Sequence, residues 1–145
     1  MELLSICQIQ INYHAIEVYP DECCGFVLGR INQNGQQAKG LEILKAENSR
    51  EPESRRKRFR VEPEQFLKAE TLALSKGLDL VAVYHSHPDA PPKPSENDLN
   101  NALPFYRYLI TSIKKGQPTQ TTCWKLNDNR SGFKQEDLNY NPKSD

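Results

Sequence analysis

The segment LDLVAVYHSHP, running from Leu78 to Pro88, limits the fold more than any other stretch of the chain. From Leu80 to Tyr84 it is continuously apolar and rich in valine, the composition of a strand covered on both faces. Such a strand needs neighbours at its sides and helices across its faces, which points to a layered α/β architecture. Before it, PEQFLKAETLALSKG reads as a helix, with Pro63 at its start, Gly77 just past its end and an apolar face of Phe66, Leu67, Leu72 and Leu74. Near the amino terminus, ICQIQINYHAIEVYP carries Ile6, Ile9, Tyr13, Ile16 and Val18 at spacings that partly fit a helical stripe, and Pro20 stops it.

Between these helices, CCGFVLGRI and AKGLEILKAEN flank the turn signal NQNG and read as a hairpin. A brief strand is expected at FRVEP, a short helix at SENDLNNAL, and two more strands at FYRYLITSI and TQTTCWKLND. The expected whole is a single domain over 1–145, a mixed sheet with helices packed against it, ending in a polar tail over 131–145. A chain of 145 residues can bury a core of that kind without staples.

Charge and cysteine usage exclude several classes of partner. Lys plus Arg and Asp plus Glu number 19 each, so bulk charge gives no reason to expect nucleic acid or an anionic membrane. No apolar run approaches the roughly 20 residues that span a bilayer, and MELLSICQIQ lacks the basic region and small-residue cleavage site of an export signal. A cytoplasmic protein is expected. Cys7, Cys23, Cys24 and Cys123 show no Cys-x-x-Cys spacing, so reduced and mostly buried thiols are expected instead of a disulfide framework.

At the carboxyl end of the apolar strand, His85 and His87 project to one side while Ser86 points away. Two imidazoles on one face suit a divalent metal, zinc above all. A catalytic zinc usually keeps three protein ligands and one open position, and Asp98 is the nearest third candidate. The connector PDAPPKP restricts the backbone between the strand and that carboxylate. Ser95 and Asp98 also have the spacing of a helix-capping pair. The two readings are compatible, because a carboxylate in the first turn of a helix can face a metal while the serine caps the backbone.

These residues resemble the JAMM, or MPN-plus, metallopeptidases. Their pattern is an upstream Glu, then His-x-His-Pro, a Ser separated from the second His by seven residues with that Pro as the first, and an Asp three after the Ser. Here YPDECCGFVLG supplies Glu22, HSHP supplies His85 and His87, and PSENDL supplies Ser95 and Asp98. The resemblance implies one zinc per chain held by His85, His87 and Asp98, Glu22 as general base and later proton donor, and Ser95 hydrogen-bonding the developing oxyanion or the nucleophilic water. It also implies a cytidine-deaminase-like fold and hydrolysis of peptide or isopeptide bonds beside ubiquitin-like proteins. The chain is most similar to short bacterial-type members, which implies a sulfur-carrier substrate ending in Gly-Gly, from which an amino acid or tail is removed.

A non-catalytic scaffold of the same fold and a RadC-like protein are the alternatives. A zinc deaminase is set aside, because the chain has His-x-His in place of His-x-Glu and lacks a downstream Pro-Cys-x-x-Cys. The basic segment SRRKRFR, with Arg50, reads either as a docking patch for an acidic partner or, in preference, as a solvated loop. His14 carries no site expectation.

Overall fold

A computed structural model describes residues 1–142. Its elements in chain order are β1 (Glu2–Leu4), α1 (Ser5–Val18), β2 (Cys24–Ile31), β3 (Ala38–Ala46), α2 (Pro63–Ser75), β4 (Asp79–Pro88), α3 (Glu96–Asn101), β5 (Arg107–Lys114), β6 (Gln117–Leu126), β7 (Phe133–Glu136) and β8 (Asn139–Asn141). The strands form one mixed eight-stranded sheet in the order β7-β6-β5-β4-β2-β3-β1-β8. Strand β4 is central, antiparallel to β2 and parallel to β5. That position explains its uninterrupted apolar run, because each face is covered by a separate core.

One core joins Cys7, Ile11 and Ala15 of α1 to Val27, Val81, Tyr84, Leu109 and Ile113 of the sheet. The other joins Ala69 and Ala73 of α2 to Phe26, Leu28, Leu80, Val83 and Tyr108. Along β2 the alternation is regular, with Val27 facing α1 and its neighbours Phe26 and Leu28 facing α2. Along β4 it is not, since Val27 pairs with Ala82 while Leu28 pairs with Leu80, which leaves Val81 as the extra residue of a bulge. Beyond the bulge, Val83 belongs to the α2 side and Tyr84 to the α1 side. Continued alternation sends His85 and His87 to the α2 side and Ser86 to the α1 side.

Several expectations require correction. The first helix exists, but Ile6, Ile9, Tyr13 and Ile16 lie on its outer surface, 42–66% exposed. The inner face is Cys7, Ile11, His14 and Ala15 instead. Apolar residues occur all round this helix, so its periodicity does not by itself single out the inner face. In α2, likewise, Leu67 and Leu74 are exposed and the buried contacts are Ala69 and Ala73.

No strand forms at FRVEP; residues 59–62 are irregular and lead directly into α2. The polar carboxyl-terminal segment contains β7 and β8, which close opposite edges of the sheet, and β8 does so by pairing with β1. Residues 143–145 of that tail lie outside the described residues. All four cysteines are free and buried, as expected.

Candidate metal centre

Strand β4 delivers His85 and His87, and its pairing with β2 delivers Glu22. Cys24 lies opposite His85, so Glu22, two residues earlier, approaches the same face. Ser86 secures this arrangement from the other side: its Oγ accepts a hydrogen bond from the Cys23 N–H (2.8 Å), and its own N–H donates to the Cys23 carbonyl (3.1 Å). A residue of the His-x-His motif that faces away from the site thus fixes the chain next to Glu22.

Helix α3 delivers Asp98. Both halves of a capping box are present: Ser95 Oγ accepts from the Asp98 N–H at 3.0 Å, and Asp98 Oδ2 accepts from the Ser95 N–H at 2.8 Å. That same Oδ2 lies 3.3 Å from His85 Nε2 and 3.2 Å from His87 Nε2, and the two imidazole nitrogens are 3.1 Å apart. Capping and convergence on the histidines are therefore properties of one oxygen atom. Because a hydroxyl can accept and donate at once, Ser95 keeps its proton for a further partner while it caps the helix.

Three donor atoms in so tight a triangle cannot all be satisfied by each other. The Pro91 carbonyl lies 2.8 Å from His87 Nδ1, which places the proton there and turns the Nε2 lone pair toward the cluster. Burial favours the neutral imidazole at His85. Burial would raise the Asp98 carboxyl, but the imidazoles and the Ser95 N–H outweigh it and hold Asp98 well below the usual carboxylate range. When a cation replaces the proton shared with Asp98, two lone pairs and a carboxylate oxygen face one point. A zinc ion bound at about 2.0 Å in a tetrahedral shell would space its ligand atoms by about 3.3 Å, and the observed triangle fits that spacing.

Glu22 stands at the side of this triangle. With His85 and His87 it forms a buried group whose ligand atoms all lie within 4.8 Å of one another and could hold a metal ion. Asp98 approaches both imidazoles more closely, so the tight triangle belongs to Asp98 and Glu22 is the looser neighbour. Glu22 is 4% exposed, and its Oε1 has no hydrogen-bond partner among the described residues. Burial, and secondarily the charge of Asp98, pushes its carboxyl up to about 9. An unpartnered carboxyl of raised basicity beside converging metal ligands is suited to exchanging a proton with a molecule bound there.

Two cavities reach the cluster. A cleft of about 570 Å³ is lined by Glu22, His87 and Ser95 together with Arg56, Lys57 and Lys93. A smaller cavity of about 210 Å³ touches His85 and Asp98 among Phe59, Val61, Phe66 and Tyr108. The latter shares Val61, Pro63 and Phe66 with an open apolar groove of about 1080 Å³ along α2, where Leu67, Leu74 and Phe105 are exposed.

Residues 6–127 match the family model described as prokaryotic homologues of the JAB domain. The chain belongs to that family. It is 35% identical over 107 residues to a desampylase from Pyrococcus furiosus, an alignment covering 74% of this chain and 68% of the relative. A solution structure from Salinibacter ruber superposes with a TM-score of 0.75 at 35% identity, covering all of this chain and 95% of the other. A Desulfitobacterium hafniense protein gives 0.84 at 22% identity, covering 99% and 94%. A JAB1/MPN domain protein from Archaeoglobus fulgidus gives 0.60 at 18% identity, covering 97% and 98%, and these last two matches bear on the fold alone.

In this JAB domain the basic segment, expected as a solvated loop, has a structural task. Its turn carries the Arg55 carbonyl to the Glu22 N–H, and Asn48 Nδ2 donates to the Glu22 carbonyl at 3.1 Å and to the Arg58 carbonyl at 2.9 Å. Phe59 stacks on His85 with ring centroids 4.4 Å apart and 23° between planes. Neither Asn48 nor Phe59 stood out in the sequence. Glu22 is 26 residues from Asn48 and His85 is 26 from Phe59, and no local spacing marks such contacts.

Proposed function

We propose that this JAB-domain chain is a zinc-dependent peptidase that hydrolyses the bond after the carboxyl-terminal Gly-Gly of a ubiquitin-like carrier protein. The observation that carries the reading is the triangle of His85 Nε2, His87 Nε2 and Asp98 Oδ2, with edges of 3.1–3.3 Å and the unpartnered Glu22 carboxyl beside it. The likeness to a desampylase supports an isopeptidase or peptidase on a ubiquitin-like protein.

His85, His87 and Asp98 would hold the zinc, which when bound supplies Lewis-acid polarisation of the scissile carbonyl and of the attacking water. Glu22 takes a proton from that water and returns it to the departing nitrogen, so the carbon–nitrogen bond breaks to a carboxylate and an amine. The Ser95 hydroxyl donates to the oxygen on which negative charge builds up. The cavity at His85 and Asp98 shares Val61, Pro63 and Phe66 with the apolar groove along α2, and we assign that groove to the carrier. Glycines at the tail's end allow its backbone to reach the site through so small a cavity.

Among the described residues no helix is long and apolar enough to cross a membrane. The decisive experiment incubates the purified chain with sulfur-carrier proteins bearing tail extensions and follows their mass. Loss of the extension, its arrest by a chelator and its recovery with zinc are expected. Intact carriers in the zinc-loaded sample would favour the non-catalytic scaffold of the same fold.

A further inference from the structure

The cleft at Glu22, His87 and Ser95 differs in chemistry from the groove assigned to the carrier. Arg56, Lys57 and Lys93 line it, and none of them forms an ion pair with a described residue. In a chain whose formal charge is zero, three cations in one cleft are a local excess. Two carboxyls share this cleft. Glu22 is at its floor, and Asp89 at its rim is already engaged, accepting from Tyr19 Oη at 2.7 Å and from the Lys115 N–H at 2.8 Å. Asp89 also attracts Arg56, so it offsets one of the three positive charges, and the cleft keeps an excess that can meet an anion brought by a bound molecule.

We propose that Arg56, Lys57 and Lys93 read a free carboxylate on the leaving group, so that the enzyme removes a terminal amino acid or short peptide from its carrier in preference to a lysine side chain. The inference rests on the peptidase reading above. Glu22, which returns the proton to the departing nitrogen, lines this basic cleft and not the smaller cavity at His85 and Asp98, so the departing amine lies on the side of the cleft. When the leaving group is an amino acid joined through its α-nitrogen, its carboxylate is two bonds from the reacting nitrogen and falls within that cleft. When it is a lysine side chain, the nitrogen is followed by four methylenes, which gain nothing from cations and displace their water. A basic cleft therefore discriminates before any further contact is made.

Three substrates test this, each a sulfur-carrier protein with its Gly-Gly end joined differently: to alanine with a free carboxylate, to alanine carboxamide, and to the side chain of lysine in a blocked peptide. For the wild-type chain at low salt, kcat/KM for the free acid is expected to exceed that for the carboxamide and the isopeptide by about tenfold, the scale of a few partly exposed ion pairs acting together. The advantage shrinks as salt is raised. In the triple variant R56E/K57E/K93E the ratio of acid to carboxamide falls to about one or below, and because a ratio is read, a general loss of activity cancels. Equal cleavage of all three by the wild type, or an undiminished ratio in the variant, overturns the inference and leaves the peptidase intact. Cleavage of none by the zinc-loaded wild type removes the peptidase reading and this inference with it.

Discussion

Two buried histidines, one on each side of the sheet, show what separates a structural imidazole from a reactive one. His14 on α1 faces Tyr84 of β4, its Nδ1 2.7 Å from the phenolic oxygen and the rings edge to face. Burial, aided by the Lys45 charge, lowers its pKa and favours the neutral ring, which has the partner it needs. Gly25 makes room for this contact, since a Cβ there would collide with the Tyr84 ring. The next residue along the strand, His85, is as deeply buried, yet its nearest polar atoms are another imidazole nitrogen and a carboxylate oxygen, and its Nδ1 has no partner among the described residues. One side of β4 closes its hydrogen bonds. The other converges electron pairs on a point, an arrangement that is costly unless a cation shares it.

The comparison breaks most visibly at His87. His87→Ala removes one corner of the triangle, so the purified variant is expected to carry no zinc where the wild type carries one per chain, and to show no carrier cleavage. Elemental analysis of the protein after gel filtration checks the metal. Full zinc occupancy in the variant would mean that the metal is held elsewhere.

Next in size is Glu22→Gln. Zinc should remain bound while turnover falls by about 10²–10⁴, because an amide cannot accept the water's proton. The metal-free protein responds in the opposite sense. Glu22 titrates near 9 when folded against an ordinary value of 4.5, so between these pH values the folded state holds a proton that the unfolded state has released, and stability declines as pH rises through that window. Glu22→Gln abolishes the decline and should stabilise the metal-free chain at pH 7 by on the order of 2–3 kcal/mol. Urea melts of both proteins in chelator at pH 5 and pH 8 measure it, and a wild type equally stable at both pH values would show that burial costs Glu22 little.

How much of this was legible in the sequence depended on how local the signal was. Strand β4, the paired histidines and the Ser95–Asp98 cap are patterns within a few residues of one another, and the structure forms all three. The inner face of α1 was not legible, because apolar residues surround that helix and only contact with the sheet selects Cys7, Ile11, His14 and Ala15. Strands β1, β7 and β8 escaped notice for a related reason. They are three or four residues long, largely polar where exposed, and exist by hydrogen-bonding to an edge that another part of the chain provides. The loop over 48–62 is tied to the site by Asn48 and Phe59, through Glu22 and His85 far off in the sequence, so its charges dominated the reading while these contacts were hidden.

Phe59 sharpens the comparison, since it is the support on the reactive side that has no counterpart in the motif. Its ring lies flat on His85 and fixes the plane of an imidazole that no hydrogen bond holds at Nδ1. Phe59→Ala is expected to weaken zinc binding by about 10–100-fold, the usual scale for supports of metal ligands. Competition against a chromogenic chelator reads this directly, with Phe59→Leu, which retains bulk, as the milder control.

The smallest effect is expected on the quiet side, at Tyr84→Phe. The ring and its packing remain, and the loss is one buried hydrogen bond to His14, leaving Nδ1 unpartnered. That should cost about 1–2 kcal/mol in a chemical melt. Zinc affinity and carrier cleavage should stay at wild-type values, although the substitution is adjacent in sequence to a proposed ligand, because Tyr84 and His85 project to opposite faces. A variant that lost zinc along with stability would show that β4 transmits strain across the sheet, and that the two histidines belong to one coupled unit despite facing different cores.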